Sequence, residues 1–395
     1  MGSVPALTFG EARECVLRTV LTASPPTEIL SLTAAAGRVL AVDVTADRLY
    51  PPFPRSVRDG FAVDSSSFRG RARVVGEVAA GSAFGRALQP GEAVEIMTGA
   101  PVPEGADAVF MVEHAALDGA TVSTDRHVQA GDFIVPAGAE AAAGAVIVRR
   151  GTTLNHVALA ALATVGCAEV QVYRKCRVAV LATGDELVAV EATPERHQIR
   201  NSNSVSLATQ VARAGGEPDV LPCARDDADH TRAMIERGLT SDLLLISGGV
   251  SAGKHDLVER VLAELGAEFY FDRVLIQPGQ PLVFGRVRDR FFFGLPGNPS
   301  STMVTFELFA RAALERLAGI PSPALNLTHA RLVSEFRHKP GLTRFLPAFL
   351  EGGVRPLAWQ GSGDVFALAR ANCFLVARDN QERWAEGDFI EVLPQ

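Results

Sequence analysis

The chain has 395 residues, long for one core and comfortable for two to four domains. Apolar residues make up 47% and charged residues 21%, a globular balance that excludes a disordered chain. With a net charge of −7 and a pI near 5.7, the molecule has no global positive field to hold nucleic acid or an anionic membrane.

Five cysteines (Cys15, Cys167, Cys176, Cys223 and Cys373) are scattered, with no pair at CxxC spacing. They read as reduced thiols of a cytoplasmic protein rather than as a disulfide framework or zinc site. No basic segment followed by an apolar stretch opens the sequence, so no signal peptide is expected. No uncharged run approaches the roughly 20 residues that span a bilayer. The expectation is a soluble, cytoplasmic protein. Lysine occurs only at Lys175, Lys254 and Lys339; arginine supplies the remaining basic side chains.

Along the chain, Thr8-Phe-Gly-Glu11 is a capping-box pattern. The apolar positions Ala12, Cys15, Val16, Thr19 and Val20 then predict a helix that Pro25-Pro26 ends. Leu32 to Leu40 is a short alanine-rich stretch, and Pro51, Pro52 and Pro54 make a stiff hinge. From Val57 to Ala139, glycine and proline punctuate short alternating strands such as Arg73-Val-Val-Gly-Glu-Val78, the texture of a β-rich domain. Leu154 to Val165 predicts a helix closed by Gly166, expected to pack back on the N-terminal helix. The domains read as 1–50 with 140–172 (helical, discontinuous), 51–139 (inserted, β-rich), 173–324 (α/β) and 325–395 (β).

Between Arg177 and Ala318 apolar strands at Val178–Ala182, Val220–Pro222, Leu243–Ile246 and Phe291–Leu295 alternate with helix-like stretches. That alternation predicts a parallel, doubly wound sheet. The polar motifs each follow a strand: Thr183-Gly-Asp-Glu186, Arg225-Asp-Asp227, Ser247-Gly-Gly-Val-Ser-Ala-Gly253 and Pro296-Gly-Asn-Pro-Ser-Ser301. Ligands of open α/β sheets bind outside the carboxyl ends of the strands, so these loops converge on one crevice.

Two of the loops suit anions. Ser247, Gly248 and Gly249 let backbone approach a ligand, and Ser300-Ser301 opens a helix whose first amides are free. The same edge carries Asp185, Glu186, Asp226, Asp227 and Asp256. Carboxylates beside a phosphate cradle repel the ligand unless a cation lies between, and Mg²⁺ fits that need. The competing reading makes Asp226 or Asp227 the cap of the helix at Asp229. Histidines, including His255 beside Asp256, lack zinc spacing, and neither a GxSxG elbow nor a GxxxxGK[ST] loop is present.

Motifs at Arg55-Ser-Val-Arg-Asp-Gly-Phe-Ala-Val63, Ile96-Met-Thr-Gly-Ala-Pro-Val-Pro103 and Thr183-Gly-Asp-Glu-Leu187 carry a family resemblance. So do Ser247–Gly253 with Asp256, and Gly294-Leu-Pro-Gly-Asn-Pro299. In this order they resemble the MoeA family of molybdopterin molybdenumtransferases, with the E domains of gephyrin and plant Cnx proteins, over essentially the full length. The resemblance implies a homodimer of four-domain subunits with a MogA/MoaB-like third domain. It implies adenylylated molybdopterin and molybdate as substrates, Mg²⁺-dependent cleavage of the phosphoanhydride, AMP release and molybdenum insertion. Handover from a MogA/MoaB-type adenylyltransferase is a further implication.

Carried over by motif, the functional acids fall on Asp59, Glu186, Asp226 and Asp256, with Thr98 beside them. Glu186, Asp226 and Asp256 are the implied metal ligands. Ser247, Gly248, Gly249, Lys254, Arg273, Pro296, Gly297, Asn298, Pro299, Ser300 and Ser362 are the implied binding residues. Asp132 matches a further aspartate that either acts or holds its turn. Where some bacterial members carry two lysines, this chain has Arg273 and Gln277, and Lys254 could supply the missing charge. The resemblance also implies that Asp59 of one subunit meets Asp256 of the other. Two alternatives are molybdopterin adenylylation and a non-catalytic scaffold. The glycine loop differs from the TGGTG of adenylylating proteins, and every acidic motif position is retained, which disfavours both.

Overall fold

A computed structural model describes residues 6–20, 25–249 and 257–395; Lys254, His255 and Asp256 lie outside the described residues. Numbered in chain order, the α-helices are α1 (Phe9–Val20), α2 (His156–Thr164), α3 (Ser202–Arg213), α4 (Ala228–Gly238), α5 (Leu257–Glu264), α6 (Pro299–Thr305), α7 (Arg311–Leu317) and α8 (Val365–Arg370). Among the described residues none is long and apolar enough to cross a membrane. The chain forms two compact units: Leu30–Ala36 with Val42–Val170, and the remainder.

In the unit containing Val42–Val170 the chain runs out and back. Val44–Thr45 pairs with Val146–Val148, Tyr50 with Ala141, and Arg55–Ser56 with Ile134–Val135. Beyond this paired stem lies a six-stranded sheet in the order Ala108–Met111, Gly60–Val63, Glu92–Ile96, Arg71–Val78, Thr121–Ser123, Ala116–Asp118. The strand Gly60–Val63 is buried throughout because it feeds two cores. Phe61 and Val63 pack with Phe110 on one side, and Ala62 packs with Val94 and Ile96 on the other. Gly60 has no room for a side chain: an added Cβ would sit 1.9 Å from the Phe110 carbonyl oxygen.

The other unit is built on a six-stranded sheet ordered Glu217–Val220, Arg177–Ala182, Leu243–Ser247, Arg290–Leu295, Pro281–Val287, Glu268–Arg273. The first four strands are parallel, and the last two extend the sheet antiparallel. Leu243–Ser247 is wholly buried, as a strand covered on both faces must be. On one face α1, α3 and the α6–α7 region pack through Val16, Leu207, Val211, Phe309 and Leu314. On the other, α4 and α5 contribute Ile235, Leu239, Val258, Val261 and Leu262.

The apolar side of α1 is therefore spent on this core, where Phe9 meets Phe309 and Phe345 edge to face. Amphipathic spacing announces that one face is buried and says nothing about its partner, and the expected pairing with the Leu154–Val165 helix is corrected accordingly.

A second sheet of this unit orders Ile276–Gln277, Thr343–Leu350, Cys373–Ala377, Phe389–Pro394 and Thr328–Arg331. Its first strand leaves the α/β region to pair parallel with Thr343-Arg344. Ala330, Leu332, Ala348, Leu375 and Trp384 form the core beneath it.

Candidate active site

The four parallel strands place Arg177–Ala182 at the centre, with the following strand on one side and Leu243–Ser247 on the other. Successive connections leave in opposite directions there, which opens a crevice at the carboxyl ends of those two strands. A cavity of about 510 Å³ occupies this position. Thr183, Gly184 and Glu186 border it from the first loop, and Ser247, Gly248 and Gly249 from the second. Asp226, Asn203, Pro296, Gly297 and Asn298 complete much of the wall.

Backbone pairing holds the loops in place beyond the strands. The Thr183 amide donates to the Ser247 carbonyl at 3.0 Å, Gly184 to Ala224 at 3.2 Å, and Gly248 to Leu295 at 3.1 Å. Gly249, at φ +64°, is obligatory: a Cβ would lie 2.7 Å from Val258 Cγ2 and 2.9 Å from Thr183 Oγ1.

The carboxylates gather at one side. Asp185 Oδ1 accepts from the Asp226 amide at 3.2 Å. Burial pushes the nearby Cys223 thiol up to about 11, and the negative charges of Glu186, Asp226 and Asp185 push it the same way. Asp227 is spent differently: it caps α4, accepting from the His230 amide at 2.8 Å. Of the two adjacent aspartates, Asp226 is thus the one on the cavity. Among the described residues lining the cavity, Glu186 and Asp226 are the only charged ones, and neither has a basic partner there.

A hard oxygen set of this kind fits Mg²⁺, which takes one or two carboxylates and completes its shell with water and phosphate oxygens. No cluster of three acids, histidines or cysteines is placed to hold a metal unaided among the described residues.

The opposite wall is braced by the C-terminal segment. Asn298 donates to Ser362 Oγ at 2.8 Å, and the Ser300 amide donates to the Ser362 carbonyl at 3.0 Å. Ser300 is fully buried, with its hydroxyl directed at the Asp364 carbonyl. Pro299, at the first turn of α6, has no N–H to offer. The Ser300 amide, expected to be free for an anion, is therefore occupied by Ser362. What faces the cavity on this side is Pro296, Gly297 and Asn298.

In the other unit, Asp59 Oδ1 accepts from the Thr98 amide at 2.6 Å and from its hydroxyl at 2.7 Å. These bonds hold the exposed Asp59 carboxyl below its ordinary value. Asp132 accepts from the Gln129 amide at 2.7 Å and closes its own turn.

Three family models match the chain in series: the MoeA N-terminal region (domain I and II) over residues 7–166, a probable molybdopterin binding domain over 179–316, and the MoeA C-terminal region (domain IV) over 329–395. The molybdopterin molybdenumtransferase of Bacillus subtilis is 35% identical over 384 residues, covering 93% of this chain and 89% of that one. The chain belongs to the MoeA family. A protein of the same name from Staphylococcus aureus strain MSSA476 is 32% identical, covering 94% of this chain and 91% of that one. The crystal structure of a MoeA protein from Pyrococcus horikoshii OT3 superposes with a TM-score of 0.85 at 28% identity, over 99% of this chain and 100% of that one.

Of the family positions read from sequence, Glu186, Asp226, Ser247, Gly248, Gly249, Pro296, Gly297 and Asn298 share one cavity. Ser362 reaches it through Asn298. Arg273 ends its strand exposed, its carbonyl accepting from the Leu7 amide at 3.1 Å, and does not line the cavity. Gln277 lies in register with Arg344, whose Nε is buried without a hydrogen-bond partner. Lys254 and Asp256 lie outside the described residues.

Sequence reasoning missed Asn203, whose amide joins two walls of the cavity. Its one signal was a second asparagine two places after the α3 cap Asn201, where helix capping no longer needs one.

Proposed function

We propose that this MoeA-family chain inserts molybdenum from molybdate into adenylylated molybdopterin, cleaving the phosphoanhydride and releasing AMP. The observation that carries the reading is the pairing, in one 510 Å³ cavity, of glycine-rich backbone loops with two carboxylates and no basic residue among its described lining. A substrate with a phosphoanhydride and a bound divalent cation satisfies both halves of that wall.

In this reading the Ser247–Gly249 turn and Gly297 lie close against the anionic part of the substrate. Glu186 and Asp226 would hold Mg²⁺, with Asp256 as a third ligand. The ion, when bound, would neutralise charge that builds on the phosphoanhydride as it breaks. Asn298, steadied by Ser362, fixes the loop opposite the acids. Asp59 and Thr98 act as a second functional pair, and Lys254 and, from outside the cavity, Arg273 supply positive charge for the oxyanion. The active form is a homodimer, and the substrate arrives from an adenylyltransferase of the MogA/MoaB type.

The test is incubation with adenylylated molybdopterin, Mg²⁺ and molybdate or tungstate, following AMP release and metal retained on the dithiolene. AMP release without metal retention would leave a hydrolase; neither product would remove the reading.

A further inference from the structure

Asn203 is the second residue of α3, and Asn201 already caps that helix by accepting from the Ser204 amide at 3.1 Å. Helix formation makes no demand on Asn203. Its side chain reaches out of the helix, donating from Nδ2 to Ser247 Oγ at 2.8 Å and to the Gly297 carbonyl at 2.7 Å. Both amide protons are thereby used, while its own Oδ1 is buried with no donor against it. Turning the amide over would set that oxygen against the Gly297 carbonyl, two acceptors face to face, so the orientation is fixed.

The consequence falls on Ser247. Its oxygen accepts from Asn203, so its proton must point elsewhere, and no acceptor among the described residues takes it. Ser247 is 2% exposed and borders the cavity. We propose that Asn203 is a positioning residue that holds the Ser247 hydroxyl as a hydrogen-bond donor toward an anionic oxygen of the substrate and ties the Ser247 loop to the Gly297 loop. The inference rests on the crevice being the molybdopterin-nucleotide site, and it names the group that reads that ligand's charge.

Asn203→Asp keeps the shape and replaces the donor with an acceptor. At neutral pH the Ser247 proton turns toward the new carboxylate, and the Gly297 carbonyl meets a negative oxygen. The KM for adenylylated molybdopterin in AMP release should rise by about tenfold or more, with a smaller change in kcat. Lowering the pH protonates the carboxyl and returns one donor, so the variant should regain affinity on the acid side along a limb the wild type lacks. Adding Ser247→Ala to Asn203→Asp should cost less than the sum of the two single losses, because they share the Ser247 hydroxyl, while the lost Gly297 contact adds its own part. If Asn203→Asp melts too low to assay, Asn203→Ala with the same Ser247→Ala background decides the coupling.

A wild-type KM in the Asn203 variants, or strictly additive losses with Ser247→Ala, overturns the inference alone. Absence of AMP release from the wild type overturns the reading of the site and the inference together.

Discussion

The side-chain amide of Asn298 donates a 2.8 Å hydrogen bond to the hydroxyl of Ser362, 64 residues further along the chain. Asn298 occupies the cap position of α6 yet makes no capping bond there. Its polar group is given instead to the segment before α8, which also takes the Ser300 amide through the Ser362 carbonyl. Ser362→Ala removes only the side-chain half of this brace. We expect thermal stability to fall by about 1 kcal/mol or less, and the KM for adenylylated molybdopterin to rise several-fold. A large loss of stability with unchanged KM would make Ser362 a structural residue only.

Glu186→Gln and Asp226→Asn keep the shape of the acidic wall and remove its charge. Both carboxylates are exposed, so the fold should persist. The Mg²⁺ concentration giving half-maximal AMP release should rise at least tenfold in each. Cys223 gives an independent reading. Removing a neighbouring negative charge stabilises its thiolate, so its pKa should drop below about 11 in Glu186→Gln. Alkylation rate against pH, followed on the Cys223 peptide by mass spectrometry, measures this. An unmoved Cys223 profile would place Glu186 away from the acid cluster.

The Asp59 carboxylate is held below its ordinary value by the two Thr98 bonds. A depressed folded-state pKa contributes stability that is present above the unfolded value of about 3.9 and is lost as pH falls through the folded one. Thr98→Val deletes the hydroxyl bond and leaves the amide bond. The Asp59 pKa should then move upward toward the ordinary range in a carboxyl-detected NMR titration, with AMP release reduced. No movement would show that the amide bond alone sets the value.

The doubly wound sheet was legible because parallel strands buried on both faces are written as unbroken apolar runs, as in Leu243–Ser247. The crevice followed because three of the polar motifs come directly after such a run. The fourth, Arg225-Asp-Asp227, follows an edge strand that runs Glu217–Val220 rather than Val220–Pro222 and is mostly exposed, so no apolar run announces it. What was not legible depends on contacts distant in sequence. The two-residue strand Ile276–Gln277 has no periodicity to announce that it joins the sheet of Thr343–Leu350. Ser300 reads as a free helix start until Ser362 is seen to occupy its amide. Asn203 has no spacing relation to Ser247 or Gly297, which only the fold brings within hydrogen-bond reach.

The family resemblance implies a lysine at the position of Gln277, whose register partner Arg344 has a buried Nε without a hydrogen-bond partner. If Lys254 supplies the missing charge, Lys254→Ala should raise the molybdate concentration needed for half-maximal metal retention by about tenfold. Gln277→Lys in that background should recover part of the loss. Unchanged molybdate dependence in Lys254→Ala would make Lys254 a solvated surface residue.

In the proposed reaction AMP release is coupled to molybdenum insertion at the crevice bounded by Glu186, Asp226, Ser247 and Asn298. The most direct measurement is a single-turnover reaction with adenylylated molybdopterin, Mg²⁺ and molybdate, counting AMP released against molybdenum bound to the dithiolene. One AMP per molybdenum atom in the wild type, with both products lost together in Asp226→Asn, is the expected result. AMP release that proceeds unchanged without molybdate, or molybdenum retention that survives in Asp226→Asn, would contradict it.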